Sequence, residues 1–210
     1  VACGGVLSLI KSLPLIIKTF REALKGFGKG TETGERTNQD LNIKVILIGI
    51  FVLTLAIWII PVIPINLFGA LLIVLFGFFF ATVSSRMVGL VGSSNNPVSG
   101  MTIATLLVAS IALKATGMVG QEGMTAAIAI GGVICIVAAI AGDTSQDLKT
   151  GYILGATPKK QQIGEIVGVM ASAVAIGGVL YLLDLAWGYG SEELSAPQAT
   201  LMKMIVEGVM

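Results

Sequence analysis

Gly92-Ser93-Ser94-Asn95-Asn96-Pro97-Val98-Ser99-Gly100 interrupts a chain that is otherwise of membrane grade. No ionisable residue occurs from Val45 to Ser85, and none from Met87 to Leu113. Polar, helix-breaking backbone at membrane depth is tolerated only where protein buries it or where it lines a wet cavity. A broken span facing a cavity is a typical substrate site of a secondary transporter. The plainer alternative is a kink satisfied by neighbouring helices. Against it, the polar and flexible stretch is longer than a kink requires.

Composition points the same way. The 210 residues are 55% hydrophobic and 12% charged, with a mean hydropathy of +0.93. Soluble domains average about 25% charged residues, so the expectation is an all-α integral membrane protein. Its architecture would be a polytopic helical bundle with one discontinuous span. The net charge of +1 conceals an asymmetry: residues 1–44 hold seven of the thirteen basic residues against four acidic ones. Asp184, Glu192 and Glu193 lie in a stretch without a base.

Cys3 and Cys135 are isolated and there is no histidine. No zinc, haem or copper centre and no cofactor is therefore expected, because thiolate and imidazole clusters are the usual ligands. No secretory signal pattern is present. The chain starts at Val1 rather than Met, so it is read as an internal fragment of a larger protein.

Working outward from the break, hydrophobic runs predict spans at 45–62, 65–83, 88–113 (the interrupted one), 124–141 and 163–183, each near the roughly 20 residues a crossing needs. A further helix is expected to start at Pro197, since proline suits a first helical turn. Residues 6–27 read as an amphipathic helix. Leu9, Leu13, Ile16, Ile17, Phe20 and Leu24 recur at helical spacing, with Lys11, Lys18 and Lys25 on another face. Residues 1–44 are then either the end of an upstream span or a surface helix, followed by a cytoplasmic loop. Ser8-Leu9-Ile10-Lys11 matches an S-x-x-K string, but without partner motifs the match is chance.

Two further textures matter. Phe51, Trp58, Phe76, Phe78, Phe79 and Phe80 give the first hairpin the bulk of a lipid-facing scaffold. Ala127, Gly131, Cys135 and Ala139 form a ladder of small residues, as do Gly164, Gly168 and Ser172. Such ladders let helices approach closely in lipid, so the last two complete spans are expected in a packed core. Basic residues tend to stay cytoplasmic. That places Lys25, Lys29, Arg36 and Lys44 inside, with Arg86 and then Lys149, Lys159 and Lys160. The Pro61/Pro64 turn, the 114–123 turn and the acidic 184–193 segment fall outside.

In the break, Pro97 removes a backbone donor and disfavours helix at Asn96. Freed backbone groups and the Asn95 and Asn96 amides supply both donors and acceptors. That suits a zwitterionic peptide-like ligand or a chelate rich in carboxylates and amines. A helix restarting near Gly100-Met101-Thr102 would direct its positive end at a bound carboxylate. Ser93, Ser94, Asn95, Asn96, Ser99 and Thr102 are the candidate substrate contacts, with Pro97 and Gly100 holding the break open.

Asp143 followed by Gln146 resembles a capping box at the start of a cytoplasmic helix. Asp143 and Asp147 also share a face and could hold a cation or a proton. Glu165, near the cytoplasmic start of the last span, is an intramembrane carboxylate and hence a functional candidate. Asp143, Gln146, Asp147 and Glu165 together make the candidate gate or coupling set. No phosphate-binding loop or nucleotide fingerprint supports ATP-driven transport.

The stretches Gly92–Thr102 and Ala141–Gly151 resemble a bacterial member of the oligopeptide transporter family, which includes the yellow stripe-like metal–chelate transporters. Leu154–Gln162 and Ser195–Thr200 extend the resemblance, which runs over most of residues 40–210. It implies a many-span secondary transporter of oligopeptides or peptide-like metal chelates in a bacterial inner membrane, proton-coupled and not an enzyme. Its implied partners are the peptide or chelate, protons and the lipid bilayer, with no nucleic acid and with homo-oligomerisation left open. Two rival readings remain. One is a channel whose filter is the Asn95/Asn96 segment. The other is an ion-pumping pyrophosphatase, which needs several carboxylates around magnesium and phosphate, whereas this chain offers one pair.

Overall fold

The computed structural model describes Pro14, Lys18 and residues 35–210 apart from Val62. The expected amphipathic helix at 6–27 and the S-x-x-K string lie outside the described residues, apart from Pro14 and Lys18, which are helical. Every long element is an α-helix: α1 (Ile43–Ile59), α2 (Leu67–Val91), α3 (Val98–Ala115), α4 (Gly120–Leu154), α5 (Pro158–Ala186) and α6 (Pro197–Val209). Short 3-10 turns occupy Arg36–Asn38 and Ser93–Asn95. Five stretches, Arg36–Ile59 and helices α2 to α5, are long and apolar enough to cross a membrane.

Local chemistry sets the ends. Asn42 and Asn66 cap α1 and α2, their side chains accepting from Lys44 N at 2.9 Å and Gly69 N at 2.8 Å. Pro61 and Pro64 prevent α1 from running into α2. Gly155, at φ 71°, closes α4 in the left-handed conformation that glycine adopts without steric cost. Two residues later Thr157 precedes Pro158 in the first turn of α5.

The interruption sits elsewhere than the sequence suggests. Residues 88–91 belong to α2, so Gly92–Pro97 is the connection between two long helices rather than a gap inside one span. The expected span closed at residue 83, before the polar group Ser84-Ser85-Arg86. Instead the Ser84 hydroxyl donates to Ala138 O and Ser85 Oγ to Ala141 O at 3.2 Å, while Arg86 is exposed. Those contacts with α4 satisfy the hydroxyls and let α2 continue.

Helix α4 is the axis of the molecule. Both α2 and α3 pack chiefly against it, and only slightly against each other. Ala70, Ile73 and Phe80 of α2 meet Leu106, Ala109 and Leu113 of α3 and Ala126, Ala127, Ile130, Ile134 and Ala138 of α4. Small residues permit this. An ideal Cβ on Gly131 would lie 2.6 Å from Leu106 Cδ2, so the first ladder does face a neighbour. The second does not: α5 has no buried residue, and Gly164 and Gly168 have no atom within 4 Å of an added Cβ. The bulky hairpin likewise divides. Phe51 and Trp58 of α1 are exposed, whereas Phe80 of α2 is buried, with Phe79 edge-on to it at 5.0 Å. Amphipathic α6 lies on α3 and α4, burying Val206 and accepting at Val209 O from Lys114 Nζ at 2.6 Å.

The interior of α4 overturns the capping-box reading. Asp143 and Gln146 lie well inside a continuous 35-residue helix, not at a start. The apolar helix before them is already nucleated, and extending it is easier than starting anew. At 1.5 Å per residue α4 is about 52 Å long, against a hydrocarbon core of about 30 Å. It is therefore longer than one crossing needs.

Candidate functional site

The Gly92–Pro97 connection lies against the side of α4, level with Gly142 to Gln146. From there α4 continues about 18 Å to Leu154. Gly92 ends α2 with φ 81°, its N–H donating to Val88 O at 2.9 Å. Asn95 Nδ2 returns to Val91 O at 3.3 Å and helps close the same end. Two contacts fasten the loop to the bundle. Ser93 N donates to Gln146 Oε1 at 2.9 Å, and Asn96 Nδ2 donates to Ser84 Oγ at 2.8 Å. The Ser84 hydroxyl in turn donates to Ala138 O, so Asn96, Ser84 and α4 form one hydrogen-bonded chain.

Gly142 makes room for this arrangement, because a side chain there would collide with Asn96, Val88 and Ser84. The Asn96 carbonyl Oδ1 is left buried without a hydrogen-bond partner. A buried acceptor without a donor costs about 1–3 kcal/mol, so an N–H or ammonium would be favoured there once the loop shifts enough to uncover it. Ser94, Asn95, Pro97, Ser99 and Gly100 are exposed around it. The start of α3, at Val98, has no side-chain cap, leaving its positive end open to an anion. Thr102 is apart from this group: it is 1% exposed between helices, and its hydroxyl donates to Val98 O at 2.9 Å.

The coupling candidates divide. Gln146 belongs to the loop contact, while Asp143 and Asp147 are exposed on α4. Glu165 belongs to a second polar seam, between α4 and α5. Its Oε2 accepts from Thr144 Oγ1 at 2.6 Å, and its Oε1 is buried without a partner. One turn earlier in α5, Gln161 Nε2 donates to Asp147 O at 3.0 Å, in a space left by Gly151.

At the same end the segment entering α1 is tied to α5. Lys159 N donates to Gln39 O at 2.8 Å, Leu41 N to Gln162 Oε1 at 2.8 Å, Gln162 Nε2 to Asp40 Oδ1 at 3.2 Å and Arg36 Nη1 to Thr157 Oγ1 at 3.4 Å. The loop, both polar seams and this tie thus cluster at one end of the bundle. Sequence reasoning missed Ser84, Ser85, Thr144 and Gln161. The adjacent serines at the close of an apolar run were the available signal for the first two.

The family model described as OPT oligopeptide transporter protein matches residues 3–210. The chain belongs to the OPT oligopeptide transporter family. A Haemophilus influenzae protein named as an oligopeptide transporter is 39% identical to this OPT chain over 157 residues, 66% of this chain and 25% of that protein. The Arabidopsis thaliana protein YSL5, named as a metal-nicotianamine transporter, is 34% identical over 94 residues, 41% of this chain and 13% of its own length. The Saccharomyces cerevisiae protein YGL114W, also named for oligopeptide transport, is 29% identical over 144 residues, 65% and 19% respectively. This OPT chain thus spans a quarter or less of the length of these relatives. No solved structure matches it.

Proposed function

We propose that the whole protein is a secondary active transporter in a bacterial inner membrane, moving oligopeptides or peptide-like metal chelates with protons as the coupling ion. Family membership and the names of the relatives support the cargo class. The observation that carries the site is the buried, unpartnered Asn96 Oδ1 beside the uncapped start of α3. Once the loop shifts to uncover Oδ1, they offer an acceptor for a cargo N–H or ammonium and a positive pole for its carboxylate. Ser93, Ser94, Asn95, Asn96 and Ser99 line this surface, with Pro97 and Gly100 shaping it. Thr102 reaches cargo only if α3 moves.

Asp143, Gln146, Asp147 and Glu165 act in this reading as the gate and coupling element, since Gln146 holds the loop and Glu165 joins α4 to α5. The end bearing Arg36, Lys149, Lys159 and Lys160 faces the cytoplasm, as basic flanks do.

Uptake by the full-length protein in proteoliposomes tests the proposal, using a panel of labelled peptides and ferric chelates with and without an inward proton gradient. Saturable uptake that collapses with the gradient is expected. Asn96→Leu abolishes it while membrane insertion stays intact. Wild-type uptake by that variant overturns the site, and single-channel currents in place of saturable uptake overturn the carrier mechanism.

A further inference from the structure

The Gly92–Pro97 connection contains a hydrogen-bonding group that its closed arrangement cannot satisfy. Asn96 Nδ2 donates to Ser84 Oγ at 2.8 Å, while Oδ1 is buried without a partner. Turning the carboxamide over does not cure this. The single Ser84 hydroxyl proton goes to Ala138 O, so the exchange would orphan Nδ2 instead. Burial by this chain's own atoms also persists however much of the full-length protein packs around it. The closed loop is therefore disfavoured by one unpaired group in either amide orientation.

The bonds that hold the loop closed are of similar weight. Ser93 N donates to Gln146 Oε1 at 2.9 Å, Asn96 to Ser84, and Asn95 Nδ2 to Val91 O at 3.3 Å. Inside the loop, Asn95 N donates to Gly92 O at 3.4 Å and Asn96 N to Ser93 O at 3.2 Å. The 3-10 turn thus keeps its own shape and can move as one piece. Gly92, at φ 81° and ψ 161°, lies in a region that essentially only glycine occupies and can leave without steric cost. At the other end, Pro97 precedes a helix start that no side chain caps. Each ordinary hydrogen bond favours closure by about two- to tenfold, and the orphaned group opposes it by about five- to a hundredfold. These factors largely offset, so the closed and open loops are close in free energy.

We propose that Gly92–Pro97 is a lid over the cargo site, hinged at Gly92 and Pro97 and latched to α4 by Gln146. The proposal rests on the reading of Asn96 as a cargo contact. Opening separates Ser93 from Gln146 and Asn96 from Ser84 in one movement, and it bares Oδ1 to a cargo N–H or ammonium. Gln146 is a positioning residue in this arrangement, since it holds the lid backbone rather than the cargo. Lids of this kind turn on a few residues that absorb the backbone change.

The test is amide hydrogen–deuterium exchange of the full-length protein in lipid nanodiscs without cargo, followed by mass spectrometry on peptides covering 92–97 and 126–138. Gln146→Ala is expected to speed exchange of 92–97 by about two- to tenfold, the weight of one hydrogen bond, and to leave 126–138 unchanged. Gln146→Glu, which keeps an acceptor, stays near the wild-type rate. In a background without other cysteines, Ser93→Cys and Gln146→Cys are joined by a short bis-methanethiosulfonate bridge. The bridge slows exchange of 92–97 to the rate of 126–138, and a reductant restores it. Exchange of 92–97 indifferent to Gln146→Ala, or indifferent to the bridge, would overturn the lid. Both expected results together with wild-type uptake by Asn96→Leu would support the lid and remove Asn96 from the cargo contacts.

Discussion

The Asn96 carboxamide occupies the volume that a side chain at Gly142 would need. An ideal Cβ on Gly142 would stand 2.8 Å from Asn96 Nδ2, 2.8 Å from Val88 Cγ2 and 3.0 Å from Ser84 Oγ. Three groups from α2 and the loop thus converge on one missing side chain of α4. The position of the loop depends on that convergence, since Asn96 is what fastens it to the bundle.

Gly142→Ala follows directly. The added methyl must displace Asn96 or push α2 away from α4, and overpacking of a tight contact costs about 1–3 kcal/mol. Expected outcomes are a lower melting temperature in detergent and a loss of uptake at least as large as the loss in stability implies. Gly132→Ala is the control, because nothing lies within 4 Å of its added Cβ and alanine is the better helix former. Equal melting temperatures for the two variants would mean that the Asn96–Gly142 contact does not hold the loop.

Ser84 joins the loop to α4 by accepting from Asn96 and donating to Ala138 O. Ser84→Ala removes both bonds and leaves the Asn96 amide without its partner in a half-buried site. A lost partner for a buried polar group costs about 1–3 kcal/mol. In the Ser84→Ala/Asn96→Leu double variant most of that penalty disappears, because no orphaned amide remains. A double-mutant cycle on thermal stability reads the coupling, and strict additivity of the two single effects would contradict the bonded chain.

Much of this architecture was legible in composition. Helical class, five apolar stretches and a polar stretch after Val91 follow from hydropathy and from Pro97 with its flanking glycines, but the sequence set that stretch inside a span rather than between two helices. The path of α2 through Ser84-Ser85-Arg86 was not, because what keeps it helical is a pair of carbonyls on α4, remote in sequence. Asp143 misled for a related reason. Its local pattern fits a cap equally well, and only continuity with the apolar helix before it places it mid-helix. The Asn96–Gly142 pairing and the Thr144–Glu165 bond are likewise tertiary contacts, to which local spacing is blind. The second small-residue ladder was legible as a ladder, yet within the described residues α5 offers it no neighbour.

Glycines on α4 should rank by what their Cβ would strike. At Gly123 it would lie 2.6 Å from Met118 O, a backbone atom, and at Gly131 2.6 Å from buried Leu106 Cδ2. At Gly151 it meets the end of the Gln161 side chain, which can swing aside. Gly123→Ala and Gly131→Ala should therefore each lose about 1–3 kcal/mol. Gly151→Ala should lose only the Gln161–Asp147 bond, about 1 kcal/mol. Melting temperatures under one detergent condition check the order, and Gly151→Ala as the most damaging of the three would refute it.

Glu165 separates structure from coupling. Its Oε2 accepts from Thr144 Oγ1 while Oε1 has no partner, so the carboxyl has an open place for a proton next to a fixed hydroxyl. Glu165→Gln keeps the shape and the bond from Thr144 but can no longer exchange a proton. Thr144→Val keeps the carboxyl and removes its donor. If Glu165 couples protons to cargo, the full-length Glu165→Gln protein retains exchange of labelled for unlabelled cargo across vesicles and loses accumulation driven by a pH gradient. Thr144→Val retains gradient-driven accumulation at reduced stability, by about 1–3 kcal/mol for the unsatisfied carboxylate. Accumulation by Glu165→Gln at the wild-type level would remove this residue from the coupling set. Loss of both exchange and accumulation would instead assign it a purely structural role between α4 and α5.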